Sequence, residues 1–113
     1  MSNTPINYIE FKSTDLKATK TFYSSVFGWS FTDFGDGYAA FSDSGVEGGF
    51  ELTREPIVNG VLVVLHHMNL ESIKEKVIEA GGKISVAIFS FPGGSRFQFL
   101  DPSGNELAIW CET

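Results

Sequence analysis

The chain has 113 residues, of which 42% are hydrophobic, and its eleven phenylalanines predict an aromatic-rich core in one globular domain. Its formal net charge of −6 argues against a nucleic-acid surface, which requires clustered lysine and arginine. No apolar run approaches the length of a membrane span, no signal peptide is recognisable, and the single cysteine cannot form an internal disulfide. We therefore expect a soluble cytoplasmic protein that binds neither nucleic acid nor a membrane.

The first half of the sequence predicts a strand, a helix and three further strands. The stretch INYIEFKST alternates in polarity as a strand does. Asp15 is a suitable N-cap for a helix over residues 15–27, and Gly28 can end that helix. The segments WSFTDF, GYAAFSD and GGFELT then read as short strands between turns that are rich in glycine and aspartate.

The second half predicts the same order of elements. It starts with the strand VLVVLHHM, and Asn69 can cap a helix over residues 69–80 that ends at the pair Gly81-Gly82. The segments KISVAIFSF, RFQFLD and ELAIW supply three more strands, and the first two are joined by the hairpin turn PGGS.

An offset of 54 residues superposes the openings of the two halves. It places Asp15 on Asn69 and Gly28 on Gly82, and the offset grows to 59 at the later turns. This pattern predicts two tandem βαβββ modules, residues 5–53 and 60–112. An unrepeated α+β domain is the alternative, because few side chains are identical between the halves.

Three motifs, DLKATKTFYSSVFGW, EAGGKI and FLDPSGNELAIW, resemble the vicinal oxygen chelate superfamily. This superfamily includes glyoxalases, bleomycin-resistance proteins, extradiol dioxygenases and fosfomycin-resistance enzymes. The resemblance implies a single α+β domain over residues 1–113, in which two tandem βαβββ modules form a cup-shaped mixed sheet. It also implies a homodimer and, in the enzymes, a divalent metal in the cup that chelates two adjacent oxygens of the substrate.

The resemblance also indicates where such a metal would be held. Its four ligand positions, on the first and last strand of each module, fall on Tyr8, Gly49, Leu62 and Ala108. Leucine, glycine and alanine have no donor atom, and a tyrosine phenol ligates only when it is deprotonated. We therefore expect no metal cofactor, and we expect Ala108 to leave space in the cup where a ligand side chain would be.

Strand alternation identifies the side chains that share a face with these positions. They predict a binding surface for a small hydrophobic or aromatic molecule, and acidic groups beside ring faces would suit a flat or cationic one. The candidate ligand-binding residues are Tyr8, Glu10, Glu51, Leu62, Val64, His66 and Trp110.

Each of these residues also has a structural interpretation. Tyr8 and Trp110 can be wall or dimer-interface aromatics, and Glu10 and Glu106 can be solvated strand residues. His66 could act as a general base, but it cannot share a metal with its neighbour in sequence, because adjacent strand residues point to opposite faces. No catalytic residue is assigned from the sequence.

Three function classes follow from these observations. The favoured one is a metal-free protein that binds a small molecule, as bleomycin-resistance proteins do. The alternative is a glyoxalase-like lyase or isomerase whose displaced metal is held by Glu10, Glu51, His66 or Glu106. The third is a structural protein whose cup is filled by its own side chains.

Overall fold

The computed structural model describes residues 3–113, and the chain divides after Pro56 into two compact units. The elements of the first unit are β1 (Tyr8–Ser13), α1 (Leu16–Phe27), β2 (Ser30–Asp33), β3 (Tyr38–Ser42) and β4 (Glu47–Leu52). Those of the second unit are β5 (Val63–His66), α2 (Leu70–Glu79), β6 (Lys83–Phe91), β7 (Gly94–Leu100) and β8 (Glu106–Glu112). Neither described helix is long and apolar enough to cross a membrane.

Each unit contains one mixed four-stranded sheet with the same topology. The strand order is β1-β4-β3-β2 in the first unit and β5-β8-β7-β6 in the second. In both sheets the first strand of the unit runs parallel to the last strand, and the other neighbours are antiparallel. The prediction of two βαβββ modules is therefore confirmed, and the alternative of an unrepeated domain is wrong.

The two helices begin where their capping residues predict. The Asp15 side chain accepts a hydrogen bond from the N–H of Ala18 at 3.0 Å, and α1 leaves through Gly28 at φ +76°. Asn69 caps α2 in the same way, but the left-handed glycine after α2 is Gly81 rather than Gly82. The second helix is shorter, with ten residues against twelve, so the offset of 54 does not hold at its end.

In each unit the helix covers one face of the sheet and builds the core there. In the first unit Tyr23 of α1 packs against Phe50 of β4, with ring centroids 5.0 Å apart. In the second unit the core includes Ile73 and Val77 of α2, and its buried strand residues are Phe97, Phe99, Leu107 and Ile109. We call the opposite side of each sheet its helix-free face, and all the candidate ligand-binding residues in strands lie there.

The turn before β8 is fixed by one buried carboxylate. Asp101 Oδ1 accepts hydrogen bonds from the N–H groups of Ser103, Gly104 and Asn105 at 2.9–3.0 Å. Asn59 then bridges this turn to the start of β8, because its side chain donates to the Gly104 carbonyl and accepts from the N–H of Glu106. The DPSG motif therefore sets where β8 begins and which of its residues reach the helix-free face.

Candidate functional site

The family ligand position on β4, Gly49, is covered by a tyrosine. Gly49 pairs with Ala40 on β3 and with Glu10 on β1, whereas Tyr8 pairs with Glu47. A Cβ atom placed on Gly49 would fall 2.6 Å from the ring carbons Cε2 and Cζ of Tyr38. The Tyr38 phenol thus occupies the space into which a ligand side chain at position 49 would project.

Tyr38 is held in this position by hydrogen bonds on the helix-free face of the first sheet. Its hydroxyl lies 2.6 Å from the hydroxyl of Tyr8. Burial raises the pKa of Tyr38, and hydrogen bonds with Tyr8 and Glu10, together with the charge of Glu10, raise it further. The phenol is therefore a neutral group near pH 7, which can donate a hydrogen bond but is a poor metal ligand.

Beside this tyrosine pair, a lysine lies between two of the predicted acidic residues. Lys12 makes an ion pair with Glu51 and a longer one, 3.9 Å, with Glu10. The hydrogen bond to Glu51 raises the pKa of Lys12 against the opposing effect of desolvation, so the ammonium stays charged. Three of the predicted residues, Tyr8, Glu10 and Glu51, are brought together here, and a cation of the chain itself lies between the two carboxylates.

In the second sheet the position on β8 is not an open space. Ala108 pairs with Val64 on β5 and with Gln98 on β7, and it is fully buried. The expectation that Ala108 leaves room for a ligand is therefore wrong, because none of its surface is accessible. Leu62 lies one residue before β5 and lines a cavity of about 100 Å³ near Glu106, which is small for an organic ligand.

The other two predicted residues of this unit lie together. His66 pairs with Trp110 across β5 and β8, and the two rings meet edge to face at 5.2 Å. The Nε2 atom of His66 lies 2.6 Å from Glu112 Oε1, and this hydrogen bond lowers the pKa of Glu112. His67, the residue after β5, instead accepts a hydrogen bond from the N–H of Asn69 at its Nδ1 atom.

One charged residue on the same face, Arg96, is not among the residues predicted from the sequence. Arg96 of β7 pairs with Trp110 on one side and with Phe89 on the other. Its guanidinium carbon lies 5.3 Å from the centre of the Phe89 ring, and its buried Nε finds no hydrogen-bond partner among residues 3–113. The alternation in RFQFL indicates that Arg96 lies on the face opposite Phe97, but its pairing with Trp110 and its lack of a partner are visible only in three dimensions.

The described residues do not fit the divalent metal of the related enzymes. Within residues 3–113 no three histidine, cysteine, aspartate or glutamate side chains lie close enough together to hold one ion. A stable site for a metal such as Zn²⁺ takes three or four protein ligands. At the two family positions on β4 and β8, Tyr38 covers Gly49 and a buried alanine stands at 108.

Comparison with known proteins agrees with this fold. The model of the Glyoxalase/Bleomycin resistance protein/Dioxygenase superfamily matches residues 6–109. This chain belongs to that superfamily. The resemblance seen in the three sequence motifs is thereby confirmed, and the two βαβββ modules are those of the superfamily.

Individual superfamily members are only distantly similar in sequence. The provisionally named glyoxylase CFP32 of Mycobacterium bovis is 26% identical to this chain, and the match covers 92% of the chain. The same match covers 44% of CFP32, so this chain spans about half the length of that protein. A superfamily enzyme from Burkholderia phytofirmans superposes with a TM-score of 0.83 at 17% identity, over 95% of this chain and 98% of its own. The fosfomycin resistance protein FosX of Listeria monocytogenes gives 0.84 at 13% identity, over 99% and 96%. These structures establish the fold alone.

Proposed function

We propose that this chain binds a small aromatic or hydrophobic molecule without the divalent metal used by the superfamily's enzymes. The observation that carries the proposal is the packing of the Tyr38 ring over Gly49. Glycine offers no ligand atom at this position, and the ring fills the space that a ligand side chain would occupy. The absence of a preformed three-residue ligand set within residues 3–113 supports the same conclusion. The chemistry left on the two helix-free faces is that of recognition, namely rings, hydroxyls and single charges.

The aromatic residues of the second sheet are the part of the chain best suited to hold a ring. Trp110 contacts His66 edge to face and lies 6.4 Å from Phe91, measured between ring centroids. Val64 and Phe89 on the same face remain 44% and 38% exposed. Aromatic and apolar side chains with a few fixed polar groups are the usual lining of a small-molecule site.

The proposal includes a homodimer. Twelve large apolar side chains of residues 3–113 remain more than a third exposed, among them Phe34 and Val86. Apolar surface of this kind is commonly buried in an interface between subunits. We also propose that the protein is cytoplasmic, because a free thiol such as that of Cys111 stays reduced there.

A second candidate is the glyoxalase-like enzyme with a displaced metal. The name given to CFP32 favours it, and so does the position of Lys12, since a cation between Glu10 and Glu51 marks a place where a metal ion could be held instead. If this candidate is correct, Lys12→Gln raises metal affinity because it removes the competing charge, and metal-loaded protein has glyoxalase activity.

Metal titration separates the two candidates. Protein purified without a histidine tag is titrated calorimetrically with Zn²⁺, Ni²⁺ and Mn²⁺, and we expect no submicromolar site with one ion per chain. The same titration of Glu10→Gln and His66→Gln tests the residues that a displaced site would use. Tight one-per-chain binding that is lost in either variant contradicts the metal-free proposal and supports the enzyme.

A further inference from the structure

Arg96 lies at the centre of an aromatic cluster on the helix-free face of the second sheet. It pairs with Phe89 of β6 and with Trp110 of β8. Phe91 lies 6.4 Å from each of these two rings, measured between centroids. We call these four residues the Arg96 cluster.

The positive charge of this cluster is not neutralised by the chain. A guanidinium is always protonated in proteins, and Arg96 forms no ion pair with any residue between 3 and 113. The carboxylates on the same face have other partners, since Glu112 binds His66, while Glu106 accepts hydrogen bonds from Ser85 and Gln98. The face therefore presents a cation whose neighbouring anions are already engaged.

The unpaired Nε–H group of Arg96 raises the free energy of the protein when no ligand is bound. It is buried and has no hydrogen-bond acceptor within the described part of the chain. A buried donor without an acceptor is rare in native proteins, because it has lost its water and gained nothing in return. Among incoming acceptors a carboxylate fits this guanidinium best, because its two oxygens match the planar fork of the N–H groups.

We propose that the Arg96 cluster binds a planar aromatic carboxylate, with the carboxylate on the Arg96 guanidinium and the ring against Trp110 and Phe91. This inference rests on the proposed function, since it names the ligand class of the same binding protein. A monoanion suits the face better than a phosphate dianion, because Glu106 and Glu112 stand on the same face and repulsion grows with ligand charge.

The test compares ligands of one shape and different charge. The full chain is titrated calorimetrically with 2-naphthoate, with its neutral analogue 2-naphthamide and with 2-naphthyl phosphate. We expect 2-naphthoate to bind most tightly. Arg96→Gln should weaken it by roughly tenfold or more, because a charge-assisted hydrogen bond is lost, and should leave 2-naphthamide unchanged.

Matched variants identify the source of the effect. Arg54→Gln removes the other arginine, an exposed residue of the first unit, and should not change binding. Arg96→Lys keeps the charge without the fork and should restore only part of the affinity. Trp110→Leu should weaken 2-naphthoate and 2-naphthamide alike, and far-ultraviolet circular dichroism checks that each variant is folded.

The outcomes distinguish this inference from the proposed function on which it rests. Equal binding of 2-naphthoate and 2-naphthamide, or an Arg96→Gln variant with wild-type affinity, overturns the carboxylate site and leaves the aromatic-binding proposal standing. Binding of 2-naphthoate that needs added Zn²⁺ but is still lost in Arg96→Gln overturns the metal-free proposal and keeps Arg96 as the anchor. If none of the three ligands binds at millimolar concentration, both are wrong.

Discussion

At the scale of single residues, the contact between Tyr38 and Gly49 decides the chemistry of the first sheet. A glycine alone would only lack a ligand atom, and a rotated neighbour or a single substitution could supply one. Here the tyrosine ring also fills the space, and its hydroxyl is tied to that of Tyr8. The burial and hydrogen bonds that raise the pKa of Tyr38 keep this group neutral, so it does not replace the missing carboxylate.

We therefore predict that Gly49→Ala destabilises the protein by about 1–3 kcal/mol, the usual cost of overpacking. In a Tyr38→Ala background the same substitution should cost nothing, because the clashing ring is gone. Urea unfolding of the two single variants and the double variant measures the coupling. Gly37→Ala is the control, since a Cβ there meets no atom within 4 Å. If Gly49→Ala leaves the free energy of unfolding unchanged, the Tyr38 ring can move aside without cost and the prediction is wrong.

At the scale of elements, the sequence predicts helices better than it predicts contacts between strands. Asp15 and Asn69 identify both helix starts, because a capping side chain acts within three residues of itself. The role of Tyr38 depends instead on the pairing of β3 with β4, which brings it across from Glu51 and over Gly49. Sequence alternation gives the face of a strand residue, but it gives neither the register nor the direction of a long side chain.

The two caps also allow a prediction about helix stability. Asp15→Ala should cost about 0.5–2 kcal/mol, since it leaves the Ala18 N–H of the first turn of α1 without its acceptor. The loss should exceed that of Asn69→Ala, because α1 has no other acidic residue in its first turn, whereas α2 has Glu71 to complement the helix dipole.

Urea unfolding of both variants measures these losses. Asp36→Ala is the matched control, because Asp36 is an exposed turn residue that carries the same charge. If Asp15→Ala and Asp36→Ala lose equal stability, the effect is one of net charge and the capping explanation is wrong.

At the scale of the whole molecule, one topology carries two different surfaces. The helix-free face of the first sheet presents hydroxyls and carboxylates around Lys12, and that of the second presents rings around Arg96. The motifs predict the repeat because helix caps and turns are local, but the charge pattern of each face follows from sheet register. Three short motifs therefore identify the superfamily, whereas the ligand class depends on the individual side chains of each face.

The homodimer is the last prediction at this scale. Light scattering at micromolar concentration should give twice the chain mass of 12.4 kDa. Burial of exposed apolar side chains should drive the association, while the net charge of −6 opposes it. Raising the salt concentration from 50 mM to 500 mM screens this repulsion and should strengthen the dimer. A monomer mass at both salt concentrations contradicts the prediction, and a dimer that dissociates in high salt would show that ion pairs hold it instead.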